Sequence, residues 1–186
     1  MSKDISNLAN TQVKKINTPI TDDIIKNLKK GQMVQITGYI YTARDAAHKK
    51  LDEILDVGSE MPFDFDGAIV FYAGPSPTQP GHAIGSIGPT TGGRMDLYAP
   101  RLIAHGLKAM IGKGLRNEEV VNAIVQHSGI YFAGVGGIAA LMSGCVKSVE
   151  VIAFDELGTE AIRKLYVEDL PVVVAIDCTG GNVYER

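Results

Sequence analysis

Apolar and polar positions alternate along this chain in short blocks, most of them closed by glycine or proline. Met33 to Tyr41, MVQITGYIY, follows a period of two and predicts a strand. Shorter runs predict strands over Val13 to Ile16, Ala68 to Tyr72, Ile130 to Val135 and Ser148 to Phe154. Val172 to Ile176 is a continuous, mostly β-branched run, the pattern of an inner strand covered on both faces. Helical spacing fills the intervals. Thr21 predicts the cap of a short helix with Asp22 and Asp23 in its first turn, Lys29 and Lys30 in its last, and Gly31 after it. Thr42 and Asp45 form a capping-box pattern ahead of an apolar helical face made by Ala47, Leu51, Ile54 and Leu55. Further helices are expected over Met95 to Leu107, interrupted near Pro100, from an Asn117 cap through Gln126, over Ile138 to Ser143, and over Glu160 to Val167. Ser59 to Asp66 and the proline-bounded Gly74 to Gly81 read as loops. Strands alternate with helices and glycines mark the switches, which predicts a layered α/β domain without fixing its strand order. Residues 1–10 read as a mobile arm and 11–186 as a single domain.

Composition narrows the function classes. With 186 residues, 45% of them hydrophobic, the chain can bury one substantial core. A net charge of −3 with no basic run argues against a general nucleic-acid binder. No apolar stretch approaches the roughly 18 residues of a membrane span. The polar start, MSKDISNLAN, lacks the apolar centre of a secretory signal. Cys145 and Cys178 make no disulfide framework. These features together predict a cytoplasmic protein.

The densest chemistry lies in Gly88-Pro89-Thr90-Thr91-Gly92-Gly93-Arg94. Glycines permit close backbone approach to a ligand. The threonines offer hydroxyls and a helix N-cap, whose free amides favour an anion. Arg94 supplies a fork suited to a carboxylate or phosphate. A Gly-Pro turn leading into a capped helix would account for the same residues. Arg44 falls at the start of a helix, where a cation opposes the dipole, which hints at an external anion, although a solvated arginine packed along its aliphatic stem is the simpler reading. His48, four residues on, shares a helical face with it, and a plain exposed or core-edge imidazole is the simpler reading. Lys113 sits between two glycines, outside any Walker A spacing. Gly134-Val135-Gly136-Gly137 follows a strand but does not match a dinucleotide fingerprint, so tight strand–helix packing explains it better. Arg44, Arg94, Lys113 and Thr90 would together receive a small dianion such as a dicarboxylic acid. No His, Asp, Glu or Cys cluster has metal-ligand spacing, and two cysteines cannot hold an iron–sulfur cluster. The chain reads as part of an active site whose remainder comes from another chain.

At these residues the sequence resembles the β subunit, or the equivalent C-terminal domain, of the class I iron–sulfur hydro-lyases, fumarate hydratase and L(+)-tartrate dehydratase. The resemblance rests on Thr42-Ala43-Arg44-Asp45-Ala46-Ala47-His48, GPTTGGRMDLY from Gly88, MIGKG from Met110, YFAGVGGIAAL from Tyr131 and the terminal AIDCTGGNVY. It runs from about Val13 to the end, with Gly92 standing where alanine or serine is more usual. It implies a three-layer swivelling β/β/α domain. It also implies a [4Fe–4S] cluster carried by a partner α subunit, with none bound by this chain alone. Arg44, Arg94 and Lys113 would bind substrate carboxylates, and Thr90 would be the candidate base, activated by an acidic residue of the partner. Asp45 and His48 would support Arg44, while Gly88, Thr91 and Gly93 shape the loop. The implied reaction is reversible hydration of fumarate to (S)-malate, in a hetero-oligomer that could also be homodimeric through either subunit. Tartrate dehydration and a non-catalytic dicarboxylate-binding module are the alternatives.

Overall fold

A computed structural model describes residues 13–78, 81, 83–134 and 139–185. The expected arm over 1–10 lies outside the described residues, as does most of the glycine run after Gly134. The strands are β1 (Lys14–Asn17), β2 (Met33–Thr42), β3 (Ile69–Phe71), β4 (Ala109–Gly112), β5 (Ile130–Gly134), β6 (Val146–Ala153) and β7 (Ile162–Ile176). The helices are α1 (Asp22–Lys26), α2 (Asp45–Val57), α3 (Ala99–Ala104), α4 (Glu118–Gln126) and α5 (Ala139–Cys145). The seven strands form one sheet in the order β1-β2-β3-β4-β5-β7-β6. Neighbours from β1 to β5 run parallel, whereas β7 is antiparallel to β5, β6 and β2. The added β2–β7 pairing closes β2, β3, β4, β5 and β7 into a ring.

The strand pattern explains how this ring is filled. Along β3 and into the next residue, Ile69 and Phe71 face one core while Val70 and Tyr72 face another. The same alternation holds in β4 and β5: Ala109, Ile111, Ile130 and Phe132 join the first core, Met110 and Tyr131 the second. The first core is closed by Val34, Ile36, Ile40, Leu165, Val167 and Leu170 of β2 and β7. Helices close the second, through Ala47 and Leu51 of α2, Leu102 and Ile103 of α3, and Val120 and Ile124 of α4. Strands buried on both faces read as near-continuous apolar runs, which is why so few residues suffice to mark β3, whereas β4, four residues long, is too short a run for the sequence pattern to mark.

The largest departure from the sequence reading is β7. A helix was expected over Glu160 to Val167. Arg163 to Val167 instead lie between β6 on one side and β2 on the other, and Ile162 pairs with β6. Two ladders satisfy more backbone groups than one turn and a half of helix could, so tertiary pairing overrides local spacing. A 3-10 segment, Asp155–Glu160, precedes the strand. Pro171 stands opposite Gln35 of β2 and is tolerated inside β7 because on its other side it falls in the gap where the strand leaves β6 and meets β5. Gly38 marks a register shift in β2. Its φ of +125° suits glycine, and an added Cβ would collide with the Thr18 hydroxyl.

Capping also differs. Thr21 caps α1 as expected, its Oγ1 accepting from Ile24 N at 3.3 Å, though α1 stops at Lys26, short of Lys29 and Lys30. Asn117 caps α4 as expected. Thr42 does not cap α2. It is the last residue of β2, and its hydroxyl accepts from Arg163 N at 3.1 Å and lies 3.4 Å from Ala161 O. Arg44 occupies the N-cap position, without a side-chain cap bond. Pro100 sits in the first turn of α3 and opens that helix rather than interrupting it.

The terminal AIDCTGG segment is a structural turn. Asp177 is 3% exposed, and its carboxylate accepts from Thr179 N (2.9 Å), Thr179 Oγ1 (2.6 Å), Gly181 N (3.1 Å) and Lys30 N (3.0 Å). Burial pushes this carboxyl up, and the hydrogen bonds from Thr179, Lys30 and Gly181 more than offset it, leaving a net downward shift. A depressed carboxyl stabilises the fold above its unfolded pKa, and that stability is lost as pH falls through the folded value. Asp177→Asn turns an amide toward Lys30 N–H and should cost about 2 kcal/mol at neutral pH. The cost should begin to shrink once pH falls below the unfolded carboxyl's value, because the stability contributed by the depressed carboxyl is then being lost. Urea melts at pH 7 and pH 3 check this; an equal cost at both would refute it.

Candidate active site

The site grows from the carboxyl ends of three parallel strands. β2 ends at Thr42 and passes to Arg44, β3 ends at Phe71 and passes to Tyr72, and β4 ends at Gly112 and passes to Lys113. The register aligns these ends, Thr42 opposite Phe71 and Phe71 opposite Ile111. In open parallel sheets this is the edge where ligands collect.

The loop carrying Thr90 enters this edge between β3 and β4. Thr90 N donates to Tyr72 O at 2.6 Å, and Lys113 N donates to Thr90 O at 3.1 Å. Thr91 bridges Lys113, and Gly92 N donates to Lys113 O at 2.7 Å. Gly92 is confined: an added Cβ would stand 2.5 Å from Tyr131 Oη and 2.9 Å from Arg116 Cδ. Gly93 is exposed, with nothing nearer than 3.6 Å to an added Cβ, so close packing does not require it. The expected helix after Thr91 is a single 3-10 turn, Gly92–Met95. The amides of Thr90 and Gly92, at the start of this turn, are committed to backbone partners rather than free for an anion.

Two of the candidate cations meet at Asp45. Arg94 Nε donates to Asp45 Oδ1 at 2.8 Å, and Arg44 Nε lies 3.9 Å from Asp45 Oδ2. The second distance is an ion-pair contact rather than a hydrogen bond. Arg44 Nη2 stands 3.5 Å from Glu160 Oε1, while Glu160 Oε2 accepts from Ala46 N at 2.8 Å. Glu160 thus serves the start of α2, the task sequence spacing assigned to Thr42 and Asp45. The Arg94 side chain is 50% exposed and the Arg44 side chain 22%, so one fork reaches into solvent and the other lies against the wall. Lys113 is exposed and forms no ion pair among the described residues. Arg44, Asp45, His48 and Arg94 therefore form one group, and Thr90, Thr91 and Lys113 another. The loop from Gly88 to Arg94 joins them.

His48 is fully buried, contrary to the exposed or core-edge reading. Its Nδ1 lies 2.9 Å from Arg44 O. Burial pushes its pKa down to about 4, so the imidazole is neutral near pH 7. Sequence reasoning also missed a buried pair beneath the loop. Arg116 Nε donates to Asp96 Oδ1 at 2.5 Å, Asn117 N donates to Asp96 Oδ2 at 2.6 Å, and the guanidinium lies 5.3 and 4.8 Å from the Tyr72 and Tyr131 ring centroids. Asp96 lies within the GPTTGGRMDLY segment, but its partner is twenty residues on with no periodic signal to connect them.

A model of the family described as "Fumarase C-terminus" matches residues 2–186. The chain belongs to the fumarase C-terminus family. It is 41% identical over 155 residues to "Fumarate hydratase class I, anaerobic" of Escherichia coli K12, covering 82% of this chain and 28% of that protein. It is 39% identical over 158 residues to "Fumarate hydratase 2" of Leishmania major, covering 84% of this chain and 28% of the relative. It is 38% identical over 173 residues to "Putative L(+)-tartrate dehydratase subunit beta" of Methanocaldococcus jannaschii, covering 90% of this chain and 89% of that one. The chain thus spans little more than a quarter of the two fumarate hydratases but nearly all of the tartrate dehydratase subunit. For a fumarase C-terminus, the donor set excludes one role: two cysteines, Cys145 and Cys178, do not fit a cluster that takes at least three thiolates. Among the described residues no helix is long and apolar enough to cross a membrane.

Proposed function

We propose that this chain is the substrate-clasping half of an iron–sulfur hydro-lyase that reversibly hydrates fumarate to (S)-malate. The observation that carries this reading is the gathering of Arg44, Arg94, Lys113 and Thr90 at the carboxyl ends of β2, β3 and β4. Three cations can hold the two carboxylates of a C4 acid, and bidentate forks fix its orientation. Arg94 keeps its Nε on Asp45 and offers its terminal nitrogens to one carboxylate. Arg44 stands beside it, and Lys113 serves the other end as a mobile point charge. Thr90, tied by its backbone to Tyr72 and Lys113, supplies the hydroxyl that takes the carbon-bound proton. A neutral threonine is a weak base, so an acidic residue of the partner activates it.

The [4Fe–4S] cluster belongs to a partner α subunit and supplies Lewis-acid chemistry there. The two core clusters on either face of β3 to β5 support a three-layer β/β/α unit, which swivels to close over the substrate. Tartrate is the second substrate reading. It is favoured by the relative that matches this chain nearly end to end, which is named as a tartrate dehydratase subunit.

The test is anaerobic activity on fumarate and tartrate, for the chain alone and mixed with its cluster-bearing partner. Activity is expected only in the mixture, and the preferred acid decides the substrate. An inactive mixture with an intact cluster would replace this reading with a non-catalytic dicarboxylate-binding module.

A further inference from the structure

Five buried side-chain polar atoms make no hydrogen bond among the described residues: Arg44 Nε, Asp45 Oδ2, His48 Nε2, Tyr72 Oη and Arg116 Nη2. All five belong to one neighbourhood. Arg44, Asp45 and His48 share the start of α2. The His48 ring meets Tyr72 edge-on at 5.1 Å, and the Arg116 guanidinium lies over the same Tyr72 ring at 5.3 Å from its centroid. Buried polar groups are normally paired, and an apolar residue is the less costly occupant of a wholly buried position. The polar character of His48 therefore needs a reason beyond filling space.

We propose that His48 and Tyr72 form a buried positioning strut that fixes Arg44 relative to Thr90. The inference rests on the site reading above. Arg44 O accepts from two groups of one residue, His48 N at 2.8 Å and His48 Nδ1 at 2.9 Å. A carbonyl oxygen only accepts, so Nδ1 carries the proton and Nε2 is bare. That second bond pins the N-cap residue at the point where the Arg44 side chain leaves the helix. The His48 ring is seated by Tyr72, with Tyr98 at 6.4 Å. Tyr72 is held in turn, its N–H donating to Ile111 O at 2.8 Å, and its own carbonyl accepts from Thr90 N at 2.6 Å. One residue thus bears on Thr90 through its backbone and on Arg44 through its ring. Gly74 adds a third tie, for an added Cβ there would stand 3.0 Å from Arg44 Nη1, so the guanidinium lies directly against the chain leaving Tyr72.

Two measurements test the strut. In the chain alone, 15N NMR of the histidine side chains should show His48 as the Nδ1–H tautomer, the less common one in water. An Nε2–H tautomer would overturn the proposal. In the assembled enzyme, His48→Leu should raise KM for the dicarboxylate about tenfold or more, while kcat changes by less than about threefold. His48→Asn, whose amide N–H overlays Nδ1–H, should restore KM to within about threefold of wild type. A merely structural histidine predicts lowered melting temperatures for both variants with unchanged KM, and that result would overturn the strut, as would a folded His48→Asn without rescue. Should His48→Leu fail to fold, the tautomer and the asparagine variant still decide. An assembled wild type inactive on every dicarboxylate would sink the proposed function instead, and the tautomer would still settle the strut.

Discussion

Asp96→Ala is expected to cost about 3–5 kcal/mol of stability, far more than the loss of any exposed ion pair in the molecule. The Arg116 side chain has no exposed surface and that of Asp96 is 10% exposed. The guanidinium lies between the Tyr72 and Tyr131 rings, where burial alone disfavours its charge, and the tyrosines and Asp96 more than offset this. Asp96 also accepts from Asn117 N, the residue that caps α4. Alanine would strand a buried cation and release a helix start in one step. The comparison is Lys15→Ala, which removes the exposed Lys15–Asp169 contact and should cost no more than about 1 kcal/mol. Denaturant melts of the two variants decide the matter. If Asp96→Ala fell within about 1 kcal/mol of wild type, the pair would be doing no more than a surface contact does.

That pair also shows what was legible beforehand. Its residues were visible only one at a time. Asp96 was part of a recognisable segment and Arg116 an unremarked basic residue before a helix cap. Spacing announces partners three or four apart on a helix or two apart on a strand, and it is silent for residues that meet through a fold. The same limit hid Glu160, which reaches Arg44 and Ala46 from the far end of the chain. By contrast, Arg44, Arg94 and Lys113 stood out one at a time, because each stands beside a glycine or at a helix start; that Arg94 meets Arg44 at Asp45 while Lys113 pairs with Thr90 and Thr91 through the backbone came only from the fold. The α4 cap and most strands were legible for the same local reason. The failures at Thr42 and over residues 160–167 share one cause. Both lie where β2 and β7 pair across more than a hundred residues, and that long-range ladder took the hydroxyl from the helix cap and the backbone from the helix.

Arg94→Lys should lower kcat/KM of the assembled enzyme by about a hundredfold or more, equivalent to about 2.7 kcal/mol, while moving stability by no more than about 0.5 kcal/mol. The asymmetry follows from how the guanidinium is divided. Its Nε is engaged with Asp45 Oδ1, and its terminal nitrogens form no hydrogen bond among the described residues. Arginine can therefore anchor itself on Asp45 and still present a two-pronged fork to a carboxylate. Lysine has one nitrogen for both tasks. Placed here, the ammonium would settle on Asp45, which already faces Arg44, and little would remain for the substrate. With half of the Arg94 side chain in solvent, the fold hardly depends on it, so the loss should appear in kinetics rather than in melting. Asp45→Asn separates anchoring from binding. It frees the arginine without removing it, and should lower kcat/KM less than Arg94→Lys does while loosening the response to substrate length. Near-normal kinetics for Arg94→Lys, with the partner and its cluster intact, would remove Arg94 from the carboxylate-binding set and leave Arg44 and Lys113 to hold the substrate by themselves.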